Sequence, residues 1–245
     1  MKLLTMGAAS PKLIKSDNAG LGYLSAIQYL APAKTSGRNV CPHASAGCRA
    51  ACLYTAGRGM TNGVQSARLN RTAWFFDDRD AYWRDLDVEL ERFGQRAERI
   101  GKIAAVRLNG TSDLAWERLR PELFEQFDDF QFYDYTKDPK RMLRFCAGEF
   151  PANYHLTFSR SETNQADCRQ VLRNGGNVSV VFRTDDFPRW FLGSPVVNGD
   201  AHDLTFVHPA GSVVGLYAKG RARHECSGFV IDPEPAALQL AVVGY

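Results

Sequence analysis

An α/β fold, in the form of a partial or open (β/α) barrel with a C-terminal β extension, is predicted by two features of the sequence. From residue 102 onward, short apolar strand-like segments alternate with helix-like segments, which is typical of a parallel sheet covered by helices. The chain has 245 residues and about five such strands, whereas a complete eight-unit barrel needs about 250 residues for its units alone. A doubly wound open sheet is the alternative architecture.

The first strand is expected over residues 23–31, and a loop rich in Gly, Ala and Cys follows over 38–63. A helix is expected over 64–76 and another over 81–99, where Trp83, Leu86, Leu90 and Phe93 recur at helical spacing. The remaining predicted elements are strands at 102–108, 130–135, 153–159 and 177–183, helices at 115–127, 139–147 and 163–173, and closing strands at 204–208 and 212–218.

Composition and charge restrict the class of protein. There are 30 Lys and Arg against 27 Asp and Glu, a net charge of +3, without the basic clusters that mark nucleic-acid binding. No apolar stretch is long enough for a membrane span or a secretory signal. We therefore expect one cytoplasmic domain over residues 1–245, with a small molecule or a host or phage protein as partner and no membrane. A zinc-stabilised nucleic-acid-binding module, suggested by the mild basicity and by Trp74, Phe75 and Phe76, is the less favoured alternative.

Three cysteines in the loop after the first strand form the strongest motif. Cys41, Cys48 and Cys52 have the spacing C-x6-C-x3-C, and small residues separate them. If a helical turn begins at Arg49, the sulfurs of Cys48 and Cys52 share one face. In a reducing compartment, such thiols are more often metal ligands or redox groups than disulfide partners.

Three interpretations of this loop remain open on the residues alone. The cysteines could pack as small apolar side chains. They could bind structural zinc together with His43 or a distant ligand, although zinc knuckles usually pair their cysteines as C-x2-4-C. The interpretation that we favour is an iron–sulfur cluster, [4Fe–4S] above all, because clusters accept irregular spacing and can be held from a loop and a helix start.

The placement of this triplet resembles that in the radical S-adenosylmethionine (SAM) superfamily, whose usual spacing is C-x3-C-x2-C. The cysteine loop together with RLNGTSD, FYDYTK, FSRSETN and AKGRARHECSGFV also resembles a family of small phage-encoded proteins described as radical-SAM-like. These motifs extend from about residue 20 to 232. The resemblance implies a cluster-binding barrel of phage or prophage origin, located in the host cytoplasm, with SAM as a candidate second cofactor and no implied substrate.

Whether such a cluster has an open iron depends on the other cysteines. Cys146 and Cys168 fall in predicted helices and are expected to pack in the core. Cys226 lies in a polar loop and is our candidate fourth ligand, with His224 as the alternative. If neither reaches the cluster, Lys219, Arg221 and Arg223 of the same loop could attract an anionic substrate or the SAM carboxylate. A fully ligated cluster would leave a non-enzymatic role in redox sensing or partner binding, whereas three ligands would allow a SAM-dependent radical enzyme.

Polar residues follow four consecutive predicted strands, and the carboxyl ends of parallel strands meet at one edge of a sheet. Helix capping explains single residues of this kind, but not four polar clusters that include Arg, Lys and carboxylates. We therefore predict one polar pocket and assign no acid, base or nucleophile in it. The predicted cofactor-binding residues are Asn109, Ser112, Asp113, Lys137, Ser159, Glu162, Asn164 and Arg183.

Overall fold

The computed structural model describes residues 1–233, which form ten strands and eight α-helices. The strands are β1 (Leu4–Met6), β2 (Tyr23–Gln28), β3 (Ile103–Arg107), β4 (Gln131–Thr136), β5 (Tyr154–Ser159), β6 (Asn177–Phe182), β7 (Trp190–Phe191), β8 (Ser194–Asn198), β9 (Val213–Tyr217) and β10 (Val230–Ile231). The helices are α1 (Pro11–Asp17), α2 (Ala46–Ala50), α3 (Asn62–Asp77), α4 (Arg79–Arg99), α5 (Trp116–Leu119), α6 (Glu122–Gln126), α7 (Pro139–Cys146) and α8 (Gln165–Arg173).

One sheet runs through the described residues in the order β1-β2-β3-β4-β5-β6-β9-β8-β7. Strands β2 to β6 and β9 are parallel and follow one another in chain order, while β1 pairs antiparallel with β2. Because parallel crossovers are right-handed, this order places the connecting helices on one face. From β2 through β6 to β9 the parallel strands follow chain order, without the central reversal that defines a doubly wound sheet; the order reverses only at the edge, over β8 and β7, and the sheet does not close.

The sheet opens between β5 and β6. Strand β5 pairs with the first half of β6, where Thr157 lies opposite Asn177 and Ser159 opposite Ser179. The second half of β6 pairs instead with β10, where Val230 lies opposite Val181. The segment that leads into β10 therefore reaches the carboxyl edge of the sheet, beside the cysteine loop.

The two faces of the sheet differ in polarity because successive strand residues point to opposite sides. Val106, Phe132, Phe158 and Val180 are fully buried on the helix-covered face. Helix α4 packs there with the predicted stripe, since Leu86, Leu90 and Phe93 are fully buried and Trp83 is partly buried against them. This face contains the main hydrophobic core.

The predicted α/β class is confirmed, as are the parallel strands and the long helices, to within a few residues at their ends. Three predictions were wrong or incomplete. The strand predicted at 204–208 is a 3-10 turn, Thr205–Val207, that buries Leu204 against the sheet and ends before Pro209. The helix predicted at 115–127 is divided into α5 and α6 at Pro121. The sequence analysis missed β1, α1 and the β7–β8 hairpin altogether.

No helix within residues 1–233 combines the length and the apolar character that crossing a membrane requires.

Candidate functional site: a basic cavity with three cysteines

A large cavity of about 1310 Å³ lies on the face of the sheet opposite the main hydrophobic core. Its volume exceeds the range of about 300–1,000 Å³ that is typical of small-molecule sites. Strand residues that alternate with the core residues form its floor, among them Arg107, Tyr135, Ser159 and Ser179. The N-terminal segment, the cysteine loop and α3 form its walls.

All three cysteines of the predicted motif line this cavity, and each is partly buried. The loop follows β2, as predicted, and carries the short helix α2, whose Ser45 hydroxyl accepts a hydrogen bond from the Cys48 amide at 3.1 Å. The helix ends at Ala50, and the backbone of Cys52 is not helical (φ −56°, ψ 133°). Cys48 and Cys52 therefore do not share a helical turn, yet both reach the same cavity.

Glu162, which the sequence analysis assigned to the cofactor pocket, holds the cysteine loop instead. Its carboxylate accepts hydrogen bonds from the Gly47 amide at 2.8 Å and from the Ser45 hydroxyl at 2.7 Å. Burial raises the pKa of this carboxyl, but the two hydrogen bonds outweigh burial, so the net pKa of Glu162 is lowered. An ionised carboxylate 115 residues further along the chain thus fixes the segment that presents Cys48.

Gly47 marks the closest packing in the loop. A Cβ atom at this position would lie 2.5 Å from the Ser227 hydroxyl, 2.6 Å from Cβ of Phe229 and 2.8 Å from the Glu162 carboxylate. Only glycine fits there. The segment that precedes β10 is therefore pressed against the cysteine loop, next to Cys48.

The environment of Cys41 links the cysteine loop to the loop after β3. Its sulfur accepts a hydrogen bond from the Ala33 amide at 3.3 Å and donates one to the Thr111 carbonyl at 3.5 Å. Burial raises the pKa of Cys41 to about 12 and also raises the pKa of Cys52. Both thiols are therefore neutral at pH 7, and a bound cation or cluster would have to stabilise their thiolate forms.

No three side chains of His, Cys, Asp or Glu in the described part of the chain are arranged to hold a metal ion. His43, the predicted partner of a zinc site, lies 3.5 Å from the Asp138 carboxylate. Cys146 and Cys168 pack in the main core, as predicted. Cys226 is exposed and does not line the cavity, although its neighbour Ser227 contacts the cysteine loop at Gly47.

Of the eight predicted cofactor-binding residues, five line the cavity and three do not. Those on the cavity wall are Asn109, Ser112, Asp113, Lys137 and Ser159. The other three hold loops at its rim: Glu162 as above, Asn164 through hydrogen bonds to Ser161 and Ser159, and Arg183 through hydrogen bonds to Arg223, Glu225 and Asp232. The strand ends thus converge on the cavity, but three of the predicted residues hold loops at its rim and do not line it.

Among these five residues, Asn109 and Asp113 already make hydrogen bonds or ion pairs with other residues of the protein. Asn109 donates to the Asp134 carboxylate at 2.9 Å and accepts from the Ser112 hydroxyl at 2.7 Å. Asp113 accepts from the Lys137 amide at 2.8 Å and pairs with Arg141 at 3.3 Å. Lys137 and Ser159 are better placed to contact a ligand, since the Lys137 ammonium lies only over an aromatic ring, that of Phe229, at 5.6 Å.

Sequence reasoning missed most of the basic residues of the cavity and pointed only to Lys137, Lys219 and Arg223 among them. The described residues place twelve Lys and Arg side chains on the cavity wall against two Asp. The basic residues are Lys2, Lys12, Lys15, Arg58, Arg68, Arg71, Arg96, Arg107, Lys137, Arg160, Lys219 and Arg223. The missed residues are dispersed along the sequence and form no local run of charge. The small net charge of the chain gave no indication of them either.

The floor of the cavity contains a buried ion network centred on Asp203. This carboxylate is fully buried and lies 2.5 Å from the Lys12 ammonium and 3.2 Å from the Arg107 guanidinium. Burial would raise the pKa of Asp203, but the two cations outweigh burial and lower it. Arg107 also stacks on the Tyr135 ring at 4.5 Å. The network joins α1 and the segment before the 3-10 turn to β3, and so closes the bottom of the cavity.

Comparison with known families gives one match. The family model described as Gene product 88 matches residues 2–233, nearly the whole chain, so the chain belongs to this family of phage gene products, in agreement with the phage resemblance. No curated protein and no solved structure matches the chain.

Proposed function

We propose that this Gene product 88 protein binds an iron–sulfur cluster, [4Fe–4S] above all, through Cys41, Cys48 and Cys52, and that an open iron faces the basic cavity. The observation that carries the proposal is that all three thiols of one short loop line a single large cavity. The consecutive order of its parallel strands also favours a partial (β/α) barrel of the radical-SAM-like kind. We therefore propose a SAM-dependent radical enzyme as the leading function.

The residues around the thiols fit a cluster. Ala44 and Ala51 are the small neighbours of the cysteines on the cavity wall and leave room for a bulky group. The Ala33 amide already donates to the Cys41 sulfur, and hydrogen bonds to sulfur tune cluster potentials. The positive charges of Arg68 and Lys137 act on Cys52 and would offset the negative charge of a thiolate cluster. The proposal requires the loop to close further, because the described residues form no metal-binding group.

When bound, a cluster held by three thiolates supplies one electron and one iron position for the amino and carboxylate groups of SAM. The protein's own residues then have distinct tasks. Glu162 and Gly47 fix the loop that carries Cys48, and Asp113 ties the loop after β3 to Val40 through its amide, 2.8 Å from the Val40 carbonyl. Lys137 and Ser159 present a cation and a hydroxyl to a ligand in the cavity.

The test is anaerobic purification of the wild type and of single alanine variants of Cys41, Cys48 and Cys52. The wild type should be brown and contain iron and acid-labile sulfide in equal amounts, about four of each per chain. Each loop variant should lose most of both. Cys146→Ala is the matched control, because Cys146 is also partly buried but packs in the core. Zinc without sulfide in the wild type, or full iron content in the loop variants, would contradict the proposal.

A second candidate function is a non-enzymatic iron–sulfur protein in which Cys226 completes the ligand set. The contact of Ser227 with the cysteine loop favours it, because a small shift of this segment would bring the preceding residue, Cys226, toward Cys48. Cys226→Ala separates the two candidates. Loss of cluster or a changed electron paramagnetic resonance spectrum supports four ligands. An unchanged spectrum, with formation of 5′-deoxyadenosine from SAM and dithionite, supports the enzyme.

A further inference from the structure

Arg68 is a buried arginine on α3 that borders the cavity. Its exposed fraction is 6%, and its guanidinium lies between two aromatic rings, 4.5 Å from the centre of Tyr29 and 5.5 Å from that of Tyr54. Stacking of this kind holds the planar group in one orientation. The residue is therefore fixed at the cavity wall.

Two of the three guanidinium nitrogens of Arg68 lack a hydrogen-bond acceptor within the described residues. Its Nε and Nη1 atoms are buried, and neither has a hydrogen-bond partner there. Other buried arginines differ: Arg120 pairs with Asp87 at 2.7 Å and Arg141 pairs with Glu117 at 2.8 Å. A buried cation without a partner is costly, so an external anion would stabilise this arrangement.

The charge of the cavity indicates what kind of anion fits. Twelve basic side chains line it against two carboxylates, and a third carboxylate, Asp203, lies beneath the floor. Asp203 pairs with Lys12 and Arg107, and Asp200 pairs with Lys219, whereas hydrogen bonds to backbone carbonyls, such as that of Arg71 to Lys2, orient other cations of the cavity without neutralising them. A single carboxylate would leave most of this positive charge uncompensated, whereas a phosphate group carries more negative charge.

We propose that the cavity binds a phosphate-bearing small molecule whose phosphoryl oxygens accept hydrogen bonds from Arg68. Arginine suits this task because its guanidinium is always charged and its donors match phosphate oxygens. The Tyr135 hydroxyl is also buried at the cavity wall without a partner in residues 1–233 and offers a second polar contact. The inference goes beyond the cluster and does not depend on it.

The experiment measures binding of inorganic pyrophosphate to the full chain by calorimetry and by the shift in melting temperature, at fixed ionic strength. Citrate serves as a carboxylate polyanion for comparison. The variants are Arg68→Gln and Arg68→Lys, and the matched control is Arg92→Gln, which removes an exposed arginine of α4. The same titration on wild-type protein from which iron has been removed with a chelator separates phosphate binding from the cluster.

We expect pyrophosphate to bind the wild type, the iron-depleted wild type and Arg92→Gln with similar affinity. Arg68→Gln should bind at least about tenfold more weakly, and Arg68→Lys should fall between, because lysine keeps the charge but loses the planar donors. Absence of binding to the wild type, or equal affinity in a folded Arg68→Gln, would overturn the proposal. Citrate that binds as tightly would overturn the phosphate assignment. If Arg68→Gln does not fold, the wild type and Arg68→Lys decide.

Discussion

The two faces of the central sheet obtain their stability in different ways. On the helix-covered face, Phe132 and Phe158 are fully buried in an apolar core. On the cavity face, Ala105, Tyr133 and Leu204 form only a small apolar cluster, and the other buried contacts include the ion pairs of Asp203 and hydroxyl contacts such as that of Ser159 with Ser179 at 3.1 Å. The same strands therefore supply a packed core on one side and a binding surface on the other, which explains why a polar cavity can exist without weakening the fold.

The largest loss in the free energy of unfolding is expected from a substitution on the apolar face. Phe158→Ala should lower the free energy of unfolding by about 3–5 kcal/mol, because it removes a fully buried ring and leaves a void. Ser179→Ala, on the opposite face of the neighbouring strand, should change it by no more than about 1 kcal/mol. Urea unfolding followed by circular dichroism measures both. Equal losses in the two variants would show that the faces do not divide stability in this way.

On the cavity face, the largest effect should come from the ion network. Asp203→Asn keeps the size of the side chain but leaves Lys12 and Arg107 without their buried counter-ion. We expect a loss of about 1.5–3 kcal/mol, the range for hydrogen bonds to charged groups. Asp80→Asn, on the first turn of α4, is the control and should stay within about 0.5 kcal/mol. A neutral Asp203→Asn would mean that the network contributes nothing to stability.

A decrease in pH should lower the free energy of unfolding through His155 of β5. Burial lowers the pKa of His155 to about 4, with a further lowering by His208, and the ring packs on Phe145. The unfolded chain, with a histidine pKa near 6.5, therefore binds more protons than the folded chain between pH 6.5 and pH 4, and stability falls as pH decreases through this range. His155 should account for about 1 kcal/mol of the loss between pH 7.5 and pH 5.5.

Replacing the ring tests this account. His155→Gln should have a shallower dependence of unfolding free energy on pH than the wild type over the same interval, whatever its stability at pH 7.5. Parallel curves for the two proteins would show that His155 does not titrate differently in the folded chain.

The sequence predicted those parts of the molecule in which the pattern is local. Strands β3 to β6 and helices α3 and α4 follow from apolar periodicity, and the cysteine loop follows from spacing and from its place after a strand. Strand β1 was missed because three residues carry no period and depend on long-range pairing with β2. Arg68 was missed for the same kind of reason. An arginine within a helix is usually solvated, and only the packing of Tyr29 and Tyr54 around it reveals its burial.

Glu162→Gln should have the smallest effect on stability but a large effect on cluster content, because Glu162 holds the cysteine loop. Glu162→Gln can still accept one hydrogen bond through its amide oxygen but loses the charge and the second acceptor that now hold Gly47 and Ser45. Stability should fall by about 1 kcal/mol or less, because the carboxylate is only partly buried. Iron and sulfide content after anaerobic purification should fall by at least half, because the segment that carries Cys48 loses its fixed position.

Glu98→Gln, at an exposed site of α4, is the matched control and should retain the full iron content. A fold that melts at the wild-type temperature with a depleted cluster would identify Glu162 as a positioning residue for the cysteine loop. A Glu162→Gln protein with full cluster content would instead mean that the loop is held by its contacts with Phe229 and Ser227 at Gly47 alone. The polar residues at the strand ends would then act only on the cavity and its ligand, and they would have no part in holding the cysteine loop.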